Sequence, residues 1–526
     1  MVAANSSSPP TFTGILFLLI STGFCIYAFF IIYKRQMEQR NRDTFRLLTA
    51  DPDDNDSSTL APDETPGETE PPTTGDGLSR RDEIRHSITA AVLLGAINSY
   101  NTTIIGGLAK VVIKNLVTKD PNQDTASLEG LLVSCLLLGG LGGALIAPPL
   151  ADKIGRPGAI TICGICATFF PVLLAVIATT NFALVVFVRT FVGIAVGMSA
   201  VLGPLYISER APLDIRGKLG TCYQVAVCMF VLFAELVNFW SNPDSRDDIS
   251  NVLLQLQFGL FSLIGVAIVV YSLWFMPDVR HPQLTGGSTS NTSNTSNTSN
   301  TSNTSNTSNS TTEMSFISKL RDIDTKWWIL IVVLPATQQL TGINAVVLYG
   351  PQILKLSFTN FLLVTFLCIG TWNLLSVFVS FILIERVGRR VLMLVALSGM
   401  SVALLFMGIV FASLPLGHSA IGSLTLIGIM SYIFFFEIGP GPLFFVMASE
   451  SFPEEIESNA IGMSNALTWI YNILVVFSFP PLTKAFGDPA EAVVGTYLSG
   501  TAVMFVVFSF VSVGCLFVVW RRVPTK

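Results

Sequence analysis

The chain has few charged residues for its length. Asp, Glu, Lys and Arg make up only 12% of the 526 residues, whereas hydrophobic residues make up 51%. Soluble domains carry about 25% charged residues, so this supply is too small to cover a water-exposed surface. The chain also lacks a long run of basic residues, which argues against nucleic acid as a partner. We therefore expect much of the protein to contact a lipid bilayer.

Histidine is scarce, and cysteine is not arranged for chemistry. The three histidines, His86, His281 and His418, are scattered and do not form a metal-binding motif. All eight cysteines fall inside apolar stretches, which is typical of small packing residues. Cys163 and Cys166 form a CxxC spacing, but without a βαβ pattern a packing role is favoured over a redox role. Because Ser-His-Asp sets and phosphate-binding loops are also missing, we expect neither an enzyme nor a cofactor.

A first apolar segment runs from about Thr13 to Tyr33, and basic residues follow it. Because the positive charge follows the apolar segment, an uncleaved anchor with an outer N-terminus is favoured over a signal peptide. Residues 1–34 are assigned to this anchor, and the acidic, polar residues 35–85 are predicted to form a disordered cytoplasmic linker. Asn5, in the sequence Asn-Ser-Ser, is the favoured glycosylation acceptor.

Twelve further apolar segments of about 20 residues follow, in two groups of six. They predict one six-helix half over residues 86–280 and another over residues 326–526. Between them, residues 281–325 contain six tandem Asn-Thr-Ser triplets. Basic residues in the short loops place this segment on the cytoplasmic side, so a low-complexity spacer is favoured over a glycosylated one. The predicted fold class is an all-α membrane protein of two six-helix halves plus one N-terminal transmembrane helix.

Two motifs occur once in each half. The sequence Asp-Lys-Ile-Gly-Arg ends at Arg156, and the similar sequence Glu-Arg-Val-Gly-Arg ends at Arg389. A Ser-Glu pair ends at Glu209, and another ends at Glu450. The members of each pair are separated by nearly the same length of chain, which indicates duplicated halves. Two such halves, related by an axis along the membrane normal, are typical of the major facilitator architecture.

These motifs predict a charge network at the cytoplasmic ends of the helices. Such pairs would hold the two halves together on this side and break when it opens. The alternative is the ordinary positive charge of cytoplasmic loops, but acids accompany the bases here, so we favour the network. Its candidate residues are Arg156, Glu209, Arg216, Glu385, Arg389 and Glu450.

Amide, hydroxyl and ionisable side chains are concentrated within several spans. The first core span carries Asn98-Ser-Tyr-Asn-Thr-Thr103. Such groups are costly at bilayer depth and usually line a cavity. A single amide is equally explained by a hydrogen bond between helices, but the whole set favours a cavity for a neutral polyol. In the tenth span, Gly439-Pro-Gly-Pro442 predicts a helix break, serving as either a gate or a fixed kink.

Over residues 87–526 the sequence resembles the sugar porters of the major facilitator superfamily. The matching motifs are Pro204-Leu-Tyr-Ile-Ser-Glu-Arg through Gly217, Gln338-Gln-Leu-Thr-Gly-Ile-Asn-Ala345, Glu385-Arg-Val-Gly-Arg-Arg390 and Glu437-Ile-Gly-Pro-Gly-Pro442. The resemblance implies that a monosaccharide is carried by alternating access, without a cofactor. It also implies a central sugar site, with Trp469 near the cytoplasmic gate and the amides of Gln224, Gln338, Gln339, Asn344, Asn373 and Asn472.

Position 101 bears on energy coupling. Proton-coupled members of the family carry Asp in the context Gly-Tyr-Asp-Thr, whereas this sequence reads Ser99-Tyr-Asn101-Thr. An amide cannot gain and lose a proton in the physiological range. The resemblance is therefore closest to the facilitative glucose transporters and implies uniport of a hexose such as glucose. Arg189, the usual neighbour of this position, is retained, and the alternative role for it is to anchor carbonyl groups.

The sequence departs from the family pattern at several positions. Phe445 stands where facilitative glucose transporters usually have Trp, Phe444 where they have Pro, and Leu348 where they have Tyr. Pro157 replaces the second Arg of the first Gly-Arg-Arg turn, and Glu457 falls where the family usually has Arg. The last two changes predict a weaker cytoplasmic charge network.

Two other functions stay open. A proton–sugar symporter needs another titrating group within the membrane, and Glu235 and Glu437 are the candidates. A transport-dead sugar sensor, signalling through the acidic linker, is the other alternative. In each case we expect a multi-pass protein, by default monomeric and in the plasma membrane.

Overall fold

The computed structural model describes residues 80–117, 125–212, 215–241, 250–277, 325–347, 362–384, 386–413, 419–452, 457–486 and 500–523. The predicted N-terminal anchor with Asn5, most of the linker and the triplet tract lie outside these residues. Glu385, Leu348 and the side chains of Phe445, Glu450 and Glu457 also lie outside the described part.

The first half contains seven described helices that make up six spans. They are α1 (Arg80–Leu116), α2 (Thr125–Ile154), α3 (Arg156–Ile177), α4 (Phe182–Arg210), α5 (Arg216–Ser241), α6 (Asn251–Leu260) and α7 (Ser262–Trp274), the last two forming one span. Helix α1 begins six residues before the predicted end of the linker. Asp82 and Glu83 lie in its first turn, where their charge complements the positive end of the helix dipole.

The second half repeats this arrangement in the described residues. Its helices are α8 (Thr325–Gln339), α9 (Leu362–Leu383), α10 (Arg389–Ser413), α11 (Ser419–Ile438), α12 (Pro440–Ser451), α13 (Glu457–Ala485) and α14 (Gly500–Arg522). Across both halves, 11 described segments are long and apolar enough to cross a membrane. The shorter apolar helix Ile369–Leu383 takes the place of the eighth core span. The prediction of a multi-pass all-α membrane protein is confirmed.

The buried apolar side chains form two main clusters, one for each half. The first contains buried residues from Ala90 to Met276, and the second contains residues from Leu330 to Val523. Two buried residues of the first cluster, Trp469 and Val476, come instead from the second half, and both lie on α13. Helix α13 is therefore one place where the two halves pack directly on each other.

The duplicated turn has the same backbone geometry in both halves. Gly155 precedes α3 with φ of 81°, and Gly388 precedes α10 with φ of 85°. This left-handed conformation is one that residues with a Cβ rarely adopt. Each glycine carbonyl then accepts a hydrogen bond at 3.1 Å, from the backbone of Ala159 and of Leu392 respectively. The matched turns support the internal repeat read from the sequence.

The tenth span is broken where the sequence predicts a break. Helix α11 ends at Ile438 and α12 begins at Pro440, which has no amide hydrogen to continue the helix. The Gly439 backbone instead donates to the Phe436 carbonyl at 3.2 Å. A Cβ on Gly439 would lie 2.1 Å from Cβ of Ala396, so α10 packs tightly against the break.

Candidate functional site

Two buried polar residues connect the halves at bilayer depth. Nε2 of Gln224, on α5, donates to the two carboxylate oxygens of Glu437, on α11, at 3.2 and 3.4 Å. The two residues are only 8% and 2% exposed. The side-chain amide of Asn373, on α9, also lies beside this carboxylate. Three polar groups from three helices and both halves therefore meet at one point.

Glu437 is the central residue that the predicted sugar set omits. The sequence places it among the polar residues within the spans, as the first residue of the Glu-Ile-Gly-Pro-Gly-Pro motif and as a candidate proton carrier, but not in the sugar-binding set. The signal that could have placed it in the site is its spacing from the helix break. The carboxylate lies one turn before Gly441, where an added Cβ would be 3.1 Å from Oε2 of Glu437.

The predicted amides at the end of α8 and just after it, in the seventh span, form a connected row. Nε2 of Gln339 donates to Oε1 of Gln338 at 3.3 Å, and Nδ2 of Asn344 donates to Oε1 of Gln339 at 2.5 Å. Nε2 of Gln338 donates to the carbonyl of Gly441 in the broken tenth span at 3.3 Å. The row is brought together because α8 ends at Gln339 and the chain turns through Gly342, whose φ is 93°.

Trp469 lies against α2 of the first half. A Cβ on Gly140 would fall 2.4 Å from Cζ3 of the indole ring, so only glycine leaves room for the ring here. The neighbouring Gly139 faces the other way, where an added Cβ would be 1.8 Å from the carbonyl oxygen of Thr190 on α4. Trp469 is 6% exposed. The ring therefore packs between the halves, near the middle of both helices.

Two predicted amides carry oxygen atoms without a partner. Oδ1 of Asn373 and Oδ1 of Asn472 are buried and accept no hydrogen bond within the described part of the chain. Buried polar atoms in native proteins are nearly always satisfied, by protein, by water or by a ligand. These two acceptors suit a substrate that brings its own hydroxyl donors.

Arg189, which lies beside position 101, binds main-chain carbonyls. Its Nε donates to the carbonyl of Leu132 at 3.0 Å, and its Nη2 donates to the carbonyl of Asn101 at 3.2 Å. The side chain of Asn101 instead donates to the carbonyl of Ile97 at 3.4 Å. Arg189 is 1% exposed and ties α4 to α1 and α2. This is the carbonyl-anchoring geometry that the sequence left open as an alternative.

The charge cluster that is predicted to be cytoplasmic is partly described. Arg156 binds Glu209 through two nitrogens, with Nη2 at 2.7 Å from Oε1 and Nε at 2.9 Å from Oε2. Its Nη1 also pairs with Asp152 at 2.6 Å. All three residues belong to the first half, because the start of α3 lies beside the end of α4. These ion pairs therefore stabilise one half and do not cross to the other, unlike the pairs that the sequence suggested.

Other residues of the predicted network lie where the halves meet. A Cβ on Gly217, at the start of α5, would be 3.1 Å from Nη2 of Arg389 in the second half. Arg156 and Arg216 line a cavity of about 80 Å³ together with Ile461 and other residues of the second half. The ends of the two halves that are predicted to be cytoplasmic are thus in contact. The structure leaves the contributions of Glu385 and Glu450 as predictions.

Two repeated halves of membrane-spanning helices, with polar groups from both halves meeting at mid-membrane, define a transporter of the major facilitator type. The family model described as "Sugar (and other) transporter" matches residues 87–525. The chain belongs to this family, which is a family of transporters and not of enzymes. It is therefore a multi-pass sugar transporter.

Several curated proteins are similar to this chain over most of their length. The glucose transporter GlcP of Staphylococcus epidermidis is 28% identical over 424 residues, covering 78% of this chain and 91% of that protein. Mouse solute carrier family 2, facilitated glucose transporter member 7, is 28% identical over 416 residues, covering 73% of this chain and 78% of that protein.

A solved structure shares the fold. The major facilitator proton:xylose symporter XylE, bound to 6-bromo-6-deoxy-D-glucose, superposes with a TM-score of 0.68 and 20% identity, over 85% of this chain and 97% of that one. Another structure of XylE, from E. coli and described as inward open, gives a TM-score of 0.62 at 21% identity, over 84% of this chain and 97% of that one. At these identities the match shows the fold alone.

Proposed function

We propose that this transporter is a facilitative carrier, a uniporter, of a hexose such as glucose in the plasma membrane. The observation that carries the proposal is the pairing at position 101. Arg189 donates to the main-chain carbonyl of Asn101, and the side chain of Asn101 is an amide. A proton-coupled mechanism at position 101 needs an acid there. That acid must bind a proton while the site is open to one side of the membrane and release it when the site is open to the other. The names of two relatives, both glucose transporters, support the choice of substrate.

The central site suits an uncharged polyol. Amides supply donors and acceptors side by side, and each sugar hydroxyl can use both. The free Oδ1 atoms of Asn373 and Asn472 accept from sugar hydroxyls, while Gln338, Gln339 and Asn344 exchange their mutual bonds for bonds to the sugar. The apolar face of the sugar packs on Trp469. Because the set draws on both halves, binding depends on how the halves are arranged.

A proton–sugar symporter is the second candidate. It is favoured by one observation, the carboxylate of Glu437 among the amides of the site. In this alternative the carboxylate takes a proton from outside and releases it inside while the sugar moves. The hydrogen bonds from Gln224, with the amide of Asn373 nearby, favour instead a fixed carboxylate that orients the amides.

The test is uptake of radiolabelled glucose by the full chain in liposomes, compared with protein-free liposomes, with and without an imposed inward proton gradient. Saturable uptake that reaches equilibrium and does not respond to the gradient is the result expected of a uniporter. Accumulation above equilibrium only in the presence of the gradient identifies a symporter. Correctly folded protein that binds glucose but gives no uptake identifies a sensor.

A further inference from the structure

Glu235 is an acid within the fifth span whose role the central site does not explain. It lies on α5, half-buried, 11 residues after Gln224. Neither a hydrogen bond nor an ion pair engages its carboxylate within the described residues. An ionisable group at bilayer depth is costly to keep and normally faces a cavity or a partner. The position of Glu235 on the helix shows which of these applies.

The lipid-facing side of α5 is marked by its exposed apolar residues. Met229, Phe233, Leu236 and Trp240 are 39%, 41%, 43% and 76% exposed. Glu235 projects about 130° away from the mean direction of these residues, because residues are spaced by about 100° around the helix axis. The same arithmetic places Glu235 within about 20° of Gln224, which faces the second half. The carboxylate therefore belongs to the face of α5 that lines the space between the halves.

Contacts on either side of Glu235 agree with this placement. Leu232 packs against α9 of the second half, where a Cβ on Gly370 would lie 3.1 Å from its Cδ1. Asn238 packs against α1, where a Cβ on Gly107 would lie 2.6 Å from its Cγ. Leu232 and Asn238 project about 60° to either side of Glu235 around the helix, so Glu235 faces the gap between α1 of the first half and α9 of the second.

A second unpaired polar group lies one turn further along the helix. Neither Oδ1 nor Nδ2 of Asn238 has a hydrogen-bond partner in the described residues, although both atoms are buried. Arg216 at the start of α5 is on the cytoplasmic side, so this pair lies toward the outer side. The distance along the axis from Gln224 to Glu235 is about 16 Å. Glu235 and Asn238 therefore lie on the outer side of the central site.

We propose that Glu235 and Asn238 form an outer subsite that favours hexoses carrying an ammonium group, such as 2-amino-2-deoxy hexoses, over neutral hexoses. The inference rests on the proposed function, because it concerns the substrate of the same pathway. An unpaired carboxylate in a narrow cleft concentrates cations near it, and low-dielectric walls strengthen the effect. The neighbouring amide offers a further acceptor to the ammonium group. A metal ion is a poorer match, because hard cations require about six oxygen ligands.

The experiment compares two labelled sugars in liposomes containing the full chain: D-glucosamine, which carries an ammonium group, and 2-deoxy-D-glucose, which is neutral at the same carbon. The variants are Glu235→Gln, which keeps the size and removes the charge, and Glu235→Asp, which keeps the charge. We expect Glu235→Gln to raise the KM for glucosamine about 5-fold, the effect of one partly hydrated charge pair. The KM for 2-deoxyglucose stays unchanged and shows that the variant is folded.

Two further comparisons sharpen the result. Glu235→Asp should keep most of the preference for glucosamine. Raising the ionic strength from about 0.01 M to about 1 M should reduce the preference in the wild type, because the screening length falls from about 30 Å to about 3 Å. The same change in ionic strength should leave the ratio of the KM values for the two sugars unaffected in Glu235→Gln.

Several outcomes would overturn the inference. Equal changes for both sugars in Glu235→Gln would show a general role in folding or gating. If Glu235→Gln has the same ratio of KM values for the two sugars as the wild type, the carboxylate does not contact the substrate. Loss of a dependence on the proton gradient in Glu235→Gln would identify a proton carrier instead. The proton-carrier outcome would overturn the proposed uniport as well, and a wild type that carries neither sugar would overturn sugar transport itself, whereas the other outcomes leave the proposed function intact.

Discussion

The side-chain amide of Gln224 donates to the carboxylate of Glu437 at 3.2 Å, and this bond joins α5 of the first half to α11 of the second. Glu437 lies two residues, about half a turn, before the helix break at Gly439. A ligand bound among these residues contacts both halves, so its affinity differs between arrangements of the halves. This coupling between binding and arrangement is what alternating access requires.

Replacing Gln224 with Ala should severely impair transport. The change removes two hydrogen bonds from the buried carboxylate of Glu437, at a cost of about 1–3 kcal/mol. We expect glucose uptake in liposomes to fall about tenfold or more. The control is Met229→Ala on the same helix, because Met229 is 39% exposed on the lipid-facing side. Wild-type uptake by Gln224→Ala would remove Gln224 from the site.

Replacing Gly140 with Ala should interfere with the packing of the halves. The new methyl group would lie 2.4 Å from the ring of Trp469, so the ring or the helices must move. Overpacking of this kind costs about 1–3 kcal/mol. We expect slower uptake by protein that still inserts and folds, measured as initial rates per amount of folded carrier.

The matched control for this change is Gly142→Ala. Gly142 lies two residues after Gly140 on α2, and a Cβ added there has no other atom within 4 Å. Both variants gain the same methyl group on the same helix. If the two variants transport equally well, the contact between Gly140 and Trp469 does not limit the cycle.

The ion pairs of Arg156 should differ in their effect on stability. Glu209 is paired through two nitrogens and its side chain is 14% exposed, whereas that of Asp152 is 61% exposed. We expect Glu209→Gln to lower the free energy of unfolding by about 2 kcal/mol. Asp152→Asn should lower it by about 0.5 kcal/mol or less, because water screens this pair.

Thermal unfolding in detergent gives the order of the two effects as apparent melting temperatures. Glu209→Gln should melt clearly below Asp152→Asn, which should stay close to the wild type. Equal melting temperatures would mean that the buried pair adds no stability to the first half. In that case the acid at position 209 acts elsewhere in the cycle.

Replacing Asn101 with Asp should introduce a response to protons. The new carboxylate lies on the residue whose carbonyl binds Arg189, so it can pair with the guanidinium when ionised. We expect glucose uptake by Asn101→Asp to change with an imposed proton gradient, and uptake by the wild type not to change. The same gradient assay in liposomes measures both proteins.

Asn98→Asp is the control for the new charge. Asn98 lies one turn earlier on α1, and its side chain contacts Tyr223 of α5. A gradient response in both variants would mean that any added acid in α1 has this effect. A gradient response in neither would show that position 101 does not decide the coupling.

Some of the site could be predicted from residue types and spacing. Gly155 and Gly388 mark equivalent turns in the sequence, and the structure gives both a positive φ. The proline motif after Ile438 likewise marks the break in the tenth span. In each case the local chemistry of glycine or proline excludes the regular alternative, so a few neighbouring residues contain the whole signal.

Other features could not be predicted, because they depend on which helix faces lie opposite each other. The sequence marks Glu437 as a motif residue and a possible proton carrier, and only the structure places Gln224 beside it. The pairs of Arg156 were expected to join the halves, yet its partners lie in the first half. Residues far apart in the chain meet through helix packing, and apolar periodicity does not specify which faces pack.

The sequence by itself determined the membrane class, the duplicated halves, the family and the candidate amides, because hydropathy, repeated motifs and helix-breaking residues are local properties of the chain. The tertiary structure alone decided the partners. It placed the indole of Trp469 on Gly140 and the guanidinium of Arg189 on two carbonyls, and among the described residues it gave Glu235, on the inner face of α5, no partner. Those relationships are set by the relative rotation and depth of packed helices, which only the folded chain defines.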